Sequence, residues 1–487
     1  MLFNSFSFLI FFPVVVLLYF LIPYRYRTLL LLIASGYFYM VFVPKYIFIL
    51  LFLITADYFL AKAIEKRTGR KRKILLLASI LANLGTLAFF KYFNFFSENI
   101  AALADFLNWN YSPAVLSLIL PLGLSFHVFT SLSYVIEVYR GKYKPEKNFL
   151  TYALYVSFFP KLVSGPIERP YNLLPQLHEN HNFNYDRVAA GLQRILWGFF
   201  KKIVIADNLA LYVNQIYGQP HDYSGLILLT ATVFFAFQLY SDFSGYTDIA
   251  IGSAQILGFK LTENFDRPYF SVSIAEFWRR WHISLSSWLS DYVYYPLVFS
   301  AKRISPLRLY FALLVTFVLI GLWHGANWTF VMFGTIQGFY IVLGKITKNW
   351  REWLSRTTGI SRLPRLRRIF QMMITFGLVL VGFVFFRADT LGDAYFIITN
   401  SFSGLASLVG GFEALKPLFE RMGVNRGLLL PLIAIFITAE IIDFRRGLLA
   451  AINSQQTWIR WLIYIIAILA IMNLGVTFEA PFIYFRF

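Results

Sequence analysis

The chain has 487 residues, of which 58% are hydrophobic and 20% aromatic, and its mean hydropathy is +0.61. Charged residues make up 14%, well below the roughly 25% of soluble globular chains, so the composition points to a polytopic membrane protein. The net charge of +19 lies largely between apolar segments and reads as topology-setting loop charge, not a nucleic-acid surface; the absence of cysteine excludes disulfides, thiol nucleophiles, cysteine-ligated metals and palmitoylation.

Apolar runs fall near 2–23, 28–43, 46–61, 74–96, 114–139, 188–206, 224–241, 308–322, 329–345, 369–386, 427–443 and 459–478. They predict an all-α fold, a polytopic transmembrane helical bundle of about eleven to thirteen spans with re-entrant and amphipathic helices. Several runs are shorter than the ~20 residues that cross a bilayer core, which predicts broken helices or a thinned membrane. The first run lacks the basic lead-in and cleavage site of a signal peptide and is expected to span. No fixed-period repeat or low-complexity linker divides the chain, so 1–487 reads as a single transmembrane domain.

The loops give an orientation. Residues 24–27 carry two arginines; 62–73 hold seven basic residues against one acid, 140–147 four against one, and 346–368 seven against one. Residues 97–113 hold Glu98 and Asp105 and no basic residue. An outside N-terminus places all four basic loops in the cytoplasm and the acidic one outside.

Four segments stand out in chain order. Residues 149–170, FLTYALYVSFFPKLVSGPIERP, are apolar but broken by Pro160, Gly165, Pro166 and Pro170, which predicts a re-entrant or interfacial element. Residues 238–248, QLYSDFSGYTD, bring Gln238, Tyr240, Asp242, Ser244, Tyr246 and Asp248 to the end of an apolar run, where they line a polar cavity or form a turn around Gly245. Residues 275–295 have an amphipathic helical period in Trp278, Trp281, Leu285, Trp288, Leu289 and Tyr292. There Glu276 sits four residues before Arg280 and can pair with it, while Arg279 and Arg280 suit headgroups. That pattern leaves His282 unexplained. His324 and Asn327 lie between two apolar runs, near a helix break flanked by Gly321 and Gly325, and an ionisable residue there is a functional-site hypothesis by default. Desolvation disfavours a charged imidazole, and a neutral one can take a proton from an attacking hydroxyl. A structural histidine bonded to a carbonyl is the alternative. Trp281 and Trp323 precede the two histidines, and plain packing accounts for them equally well.

The chain has no G-x-S-x-G elbow, phosphate-binding loop or H-E-x-x-H motif, and its six histidines lack metal-ligand spacing. No metal is expected.

FWRRWHISLSSWLSDYVYYPL (277–297) and GLWHGANWTF (321–330) resemble the two signature segments of the membrane-bound O-acyltransferase family. PLGLSFHVFTSLSYVIEVYRGK (121–142), SFFPKLVSGPIERP (157–170) and QLYSDFSGYTDIAIGSAQILGFKLTENFDRPY (238–269) extend the likeness, as does the opening MLFNSFSFLIFFP. It covers most of 1–345 and fades over the C-terminal helices, 346–487. The wording is closest to the branch that acetylates alginate or peptidoglycan, with teichoic acid D-alanyl transferases more distant. The resemblance implies a many-helix bacterial cytoplasmic-membrane protein with a central tunnel. It implies His324 as the essential catalytic histidine and His282 as the second family histidine, with Trp281 and Trp323 as candidate tunnel walls. Asn327, three residues beyond His324, is placed by spacing to orient it. It further implies acetyl-CoA or another acyl thioester as cytoplasmic donor, a secreted or periplasmic acetyltransferase partner and a polysaccharide acceptor. Three alternatives stay open: within the same family, D-alanyl transfer from a carrier protein toward teichoic acid; and outside it, a proton-coupled transporter or a scaffold for polysaccharide export.

Overall fold

The computed structural model describes residues 1–109, 111, 115–116, 119–300, 303–403, 429–476 and 481–483. Among these the fold is all-helical, and the only β pairing is an isolated antiparallel bridge between Phe265 and Trp281. Helices dominate because backbone polar groups at membrane depth must be satisfied within their own segment. Their starts follow ordinary capping chemistry: the Ser5, Asn148 and Asn327 side chains accept the backbone N–H groups of Phe8, Leu150 and Thr329.

Seven described helices are long and apolar enough to cross a membrane: Pro44–Glu65, Gly69–Phe106, Leu226–Leu257, Pro306–His324, Trp328–Ile346, Pro364–Arg387 and Thr457–Leu474. Other apolar runs form shorter helices, such as Phe6–Leu21, Tyr24–Met40 and Leu124–Tyr139. The expected breaks in 149–170 are present. Helix Phe149–Ser157 stops at Phe158, a short turn Phe159–Leu162 follows, and a non-helical stretch leads to Pro170–Leu177. Residues 151–170 are all buried, so this irregular backbone lies inside protein.

Two compact units account for the chain, one formed by 1–195 with 246–263, the other by 196–245 with 264–487. In the first, Glu168 accepts the Thr262 backbone N–H at 2.5 Å and its hydroxyl at 3.2 Å. Arg194 holds Asp248 at 2.9 Å and pairs with Glu263. The buried Asp57 carboxylate accepts hydrogen bonds from Ser79 and Asn83 at 2.5 and 2.8 Å.

In the second unit, helices Pro306–His324 and Trp328–Ile346 form an antiparallel pair. Glycine makes their contact possible. A Cβ on Gly321 would lie 2.1 Å from the Phe330 carbonyl oxygen, and one on Gly334 would lie 2.1 Å from that of Phe317. Any larger residue would push the helices apart and move His324 at the end of the first. The same unit holds a buried ionic cluster: Lys202 Nζ lies 2.6 Å from Asp242 and 2.9 Å from Asp207. Asp242 also accepts the Ile483 backbone N–H at 2.8 Å, and Lys202 sits over the Phe482 ring. The C-terminal segment 481–483 is thereby tied to the Leu226–Leu257 helix.

Candidate active site

The region 275–295 is not one amphipathic helix. It is a helix Ile274–Arg280, a break at Trp281 and His282, a second helix Ile283–Leu289, and a wider turn Ser290–Tyr294. The first helix is capped at its start and carries the expected Glu276–Arg280 pair. Ser273 accepts the Glu276 N–H at 3.2 Å, and the Glu276 carboxylate accepts the Val272 N–H and pairs with Arg280 at 2.7 Å.

Tertiary hydrogen bonding makes the break. The Asp266 N–H donates to the Arg280 carbonyl at 3.0 Å, and the Ile283 N–H donates to the Asn264 carbonyl at 2.9 Å. The buried Asn264 side chain accepts the Ser284 N–H at 3.1 Å. Residues 264–266 thus run beside 280–284 and pull them out of helix. His282 takes a left-handed conformation, φ +44°, which for a residue with a side chain costs on the order of 1–3 kcal/mol.

That strain turns two adjacent side chains apart. The Trp281 ring packs among Phe265, Phe277 and Phe383 at 5.1–5.5 Å between centroids, and lies 5.9 Å from Tyr240. The His282 ring meets Phe243 at 4.7 Å and Trp323 at 5.6 Å, both edge to face. Trp323 is 4.9 Å from His324, and His324 also packs on Phe386 at 5.0 Å and Phe333 at 5.9 Å. The Trp323 indole therefore touches both imidazoles. Both histidines are almost wholly buried, at 0% and 3% exposure. His282 lies outside the seven spans, and burial pushes its imidazole down to about 3, so it is neutral at pH 7.

The other candidates divide. Asn327 caps the helix after His324: its side-chain oxygen accepts the Thr329 N–H at 3.0 Å, and its side-chain nitrogen donates to the Asp389 carbonyl at 3.2 Å. Both ends of its amide are thus engaged in building the corner after His324. Segment 238–244 continues straight through helix Leu226–Leu257, which overturns the turn around Gly245; glycine is needed there because a Cβ would lie 2.8 Å from the Gly198 carbonyl oxygen. Gln238 and Ser244 are buried, and the Tyr240 hydroxyl donates to Glu440 at 2.8 Å. Asp242 belongs to the Lys202 cluster. Tyr246 belongs to the first unit, where its hydroxyl accepts the Ser164 N–H at 3.3 Å. Arg279 is exposed, and Arg280 is held by Glu276.

Several residues here escaped the sequence reading. Phe243 and Phe386 wall the two histidines. Gln337, fully inside, accepts the Trp278 indole N–H at 3.1 Å and ties the Ile274–Arg280 helix to the Trp328–Ile346 helix. A glutamine amid WTFVMFGTIQGFYIVL is the one signal that could have pointed to it.

A helical membrane fold that brings two Trp-His segments together around one indole defines a class, and sequence comparison identifies it. Residues 146–386 match the membrane-bound O-acyltransferase family. The chain is 38% identical over 404 residues to the probable alginate O-acetylase AlgI of Pseudomonas aeruginosa, covering 82% of this chain and 74% of that one. It is 34% identical over 391 residues to the peptidoglycan O-acetyltransferase of Helicobacter pylori, covering 75% and 71%. A teichoic acid D-alanyltransferase of Bacillus subtilis is 29% identical over 280 residues, covering 54% and 68%. The chain belongs to the membrane-bound O-acyltransferase family and is a multi-pass membrane enzyme.

Proposed function

We propose that this enzyme takes an acetyl group from a cytoplasmic thioester, acetyl-CoA, and passes it across the membrane for O-acetylation of an extracytoplasmic polysaccharide. A secreted or periplasmic acetyltransferase completes the transfer. The observation that carries this reading is the shared indole: His282 and His324 come from separate elements, and Trp323 contacts both.

His324 is the general base. It takes the proton of the incoming hydroxyl as the oxygen attacks the thioester carbonyl. The C–O bond forms, the C–S bond breaks, and the proton returns to the departing thiolate, releasing free coenzyme A. One such base contributes about 10²–10⁴-fold. His282 is neutral in this setting and donates or accepts a hydrogen bond without carrying charge; it positions the donor. The close match to an alginate and a peptidoglycan O-acetylating relative favours an acetyl donor and a glycan acceptor. The weaker likeness to D-alanyl transferases supports the second reading, D-alanyl transfer from a carrier protein toward teichoic acid.

The test uses proteoliposomes with the donor face outward, acetyl-labelled coenzyme A outside, and the secreted partner with polysaccharide inside. Label on the polysaccharide supports the proposal. Label transferred only from a D-alanyl carrier protein supports the second reading, and donor that crosses chemically intact marks a transporter.

A further inference from the structure

Between the membrane-crossing helices Trp328–Ile346 and Pro364–Arg387 lies a separate ten-residue helix, Lys348–Thr357, KNWREWLSRT. One residue separates it from the end of the first span, so it is held at the bilayer boundary. The Arg351 guanidinium fixes the junction by donating to the Gly344 carbonyl in the last turn of that span. At 100° per residue, Trp350, Trp353 and Leu354 share one face, with Thr357 between them. Lys348, Glu352 and Ser355 occupy the opposite face, and Arg351 and Arg356 flank the apolar one. None of the ten residues is buried, and the two tryptophans are each 59% exposed. Two indoles and a leucine bare to water would be unfavourable for a helix this short. Immersed in the headgroup zone, the same face is covered while the flanking cations stay in water. The charge names the lipid. Residues 346–368 hold seven basic residues and one acid, and each cation near an anionic surface strengthens binding about fivefold.

We infer that Lys348–Thr357 lies in the plane of the membrane interface, tryptophan face down, and binds anionic phospholipid headgroups through Arg351 and Arg356, which flank that face. This surface is distinct from the histidine site.

The cysteine-free chain makes the test direct. Trp353→Cys and, on the opposite exposed face, Lys348→Cys each receive a fluorescent label in the full-length protein, in vesicles of phosphatidylcholine containing a doxyl-quencher lipid. Quenching several-fold stronger at 353 than at 348 is expected; equal, weak quenching at both would overturn the interfacial placement and leave the face to a protein partner. A second measurement carries the wild type and the Arg351→Gln/Arg356→Gln variant through equal phosphatidylcholine and phosphatidylglycerol, and counts retained lipid by mass spectrometry. The wild type should enrich phosphatidylglycerol several-fold, and the variant should lose that enrichment while remaining folded by circular dichroism. Equal enrichment in both would overturn the anionic-lipid assignment.

Discussion

His282 and Trp323 meet edge to face, ring centroids 5.6 Å apart at 75°. The contact joins residues forty-one positions apart in sequence. Trp323 in turn packs on His324 at 4.9 Å. The indole is the physical link between the two Trp-His segments, and its geometry is testable.

Trp323→Phe keeps an aromatic ring between the imidazoles, whereas Trp323→Ala removes it. Aromatic pairs contribute about 0.5–1.5 kcal/mol beyond burial, and Trp→Ala in a core costs about 3–5 kcal/mol. Trp323→Phe should keep donor turnover within about tenfold of wild type, a loss of about 1.4 kcal/mol in transition-state stabilisation. Trp323→Ala should lose most of it and melt at a lower temperature. Coenzyme A release and thermal unfolding in detergent measure both.

The Trp278–Gln337 hydrogen bond lies in an apolar interior. Gln337→Leu strands the indole N–H, at about 1–3 kcal/mol. Trp278→Phe strands the glutamine instead. Removing both partners together should cost less than the sum of the single changes, because neither polar group is then left alone. A double-mutant cycle on unfolding free energy reads this; additive losses would count against it.

Asp242 has a structural partner in Lys202, at 2.6 Å and almost fully buried. Lys202→Met leaves two carboxylates uncompensated and should destabilise the protein by about 3–5 kcal/mol. Asp242→Asn should likewise lower the melting temperature, with the donor KM unchanged in protein that remains folded. A raised KM at unchanged stability would instead place Asp242 in donor binding.

Burial lowers the His282 imidazole to about 3 from its ordinary 6.5. The unfolded chain therefore binds a proton at this residue before the folded one does. Its contribution to stability is full above about pH 6.5 and declines as pH falls toward 3. The melting temperature of the wild type should drop more steeply between pH 6.5 and about 4 than that of His282→Asn. Parallel slopes would contradict a buried, neutral imidazole.

Much of this site was legible in the sequence because the signals were local. His324 at the end of an apolar run, the Glu276–Arg280 pair and the proline breaks of 149–170 all appear where spacing put them. The break at Trp281–His282 was not legible. Tryptophans and leucines at helical spacing describe a helix, and the hydrogen bonds that interrupt it come from Asn264–Asp266, outside that pattern. Asp242 looked like a cavity residue because its lysine lies forty positions earlier. Phe386 and Glu440 lie beyond the quoted signature segments, where single residues carry no periodic signal, although the family match itself reaches Phe386.

Release of free coenzyme A from acetyl-CoA by proteoliposomes supplied with the secreted partner, compared between wild type and His324→Ala, tests the proposed thioester chemistry at His324 head-on. With His324 as the general base, the wild type releases coenzyme A steadily and His324→Ala loses at least about a hundredfold, with both proteins equally folded by thermal unfolding. Normal turnover in a well-folded His324→Ala variant would contradict it.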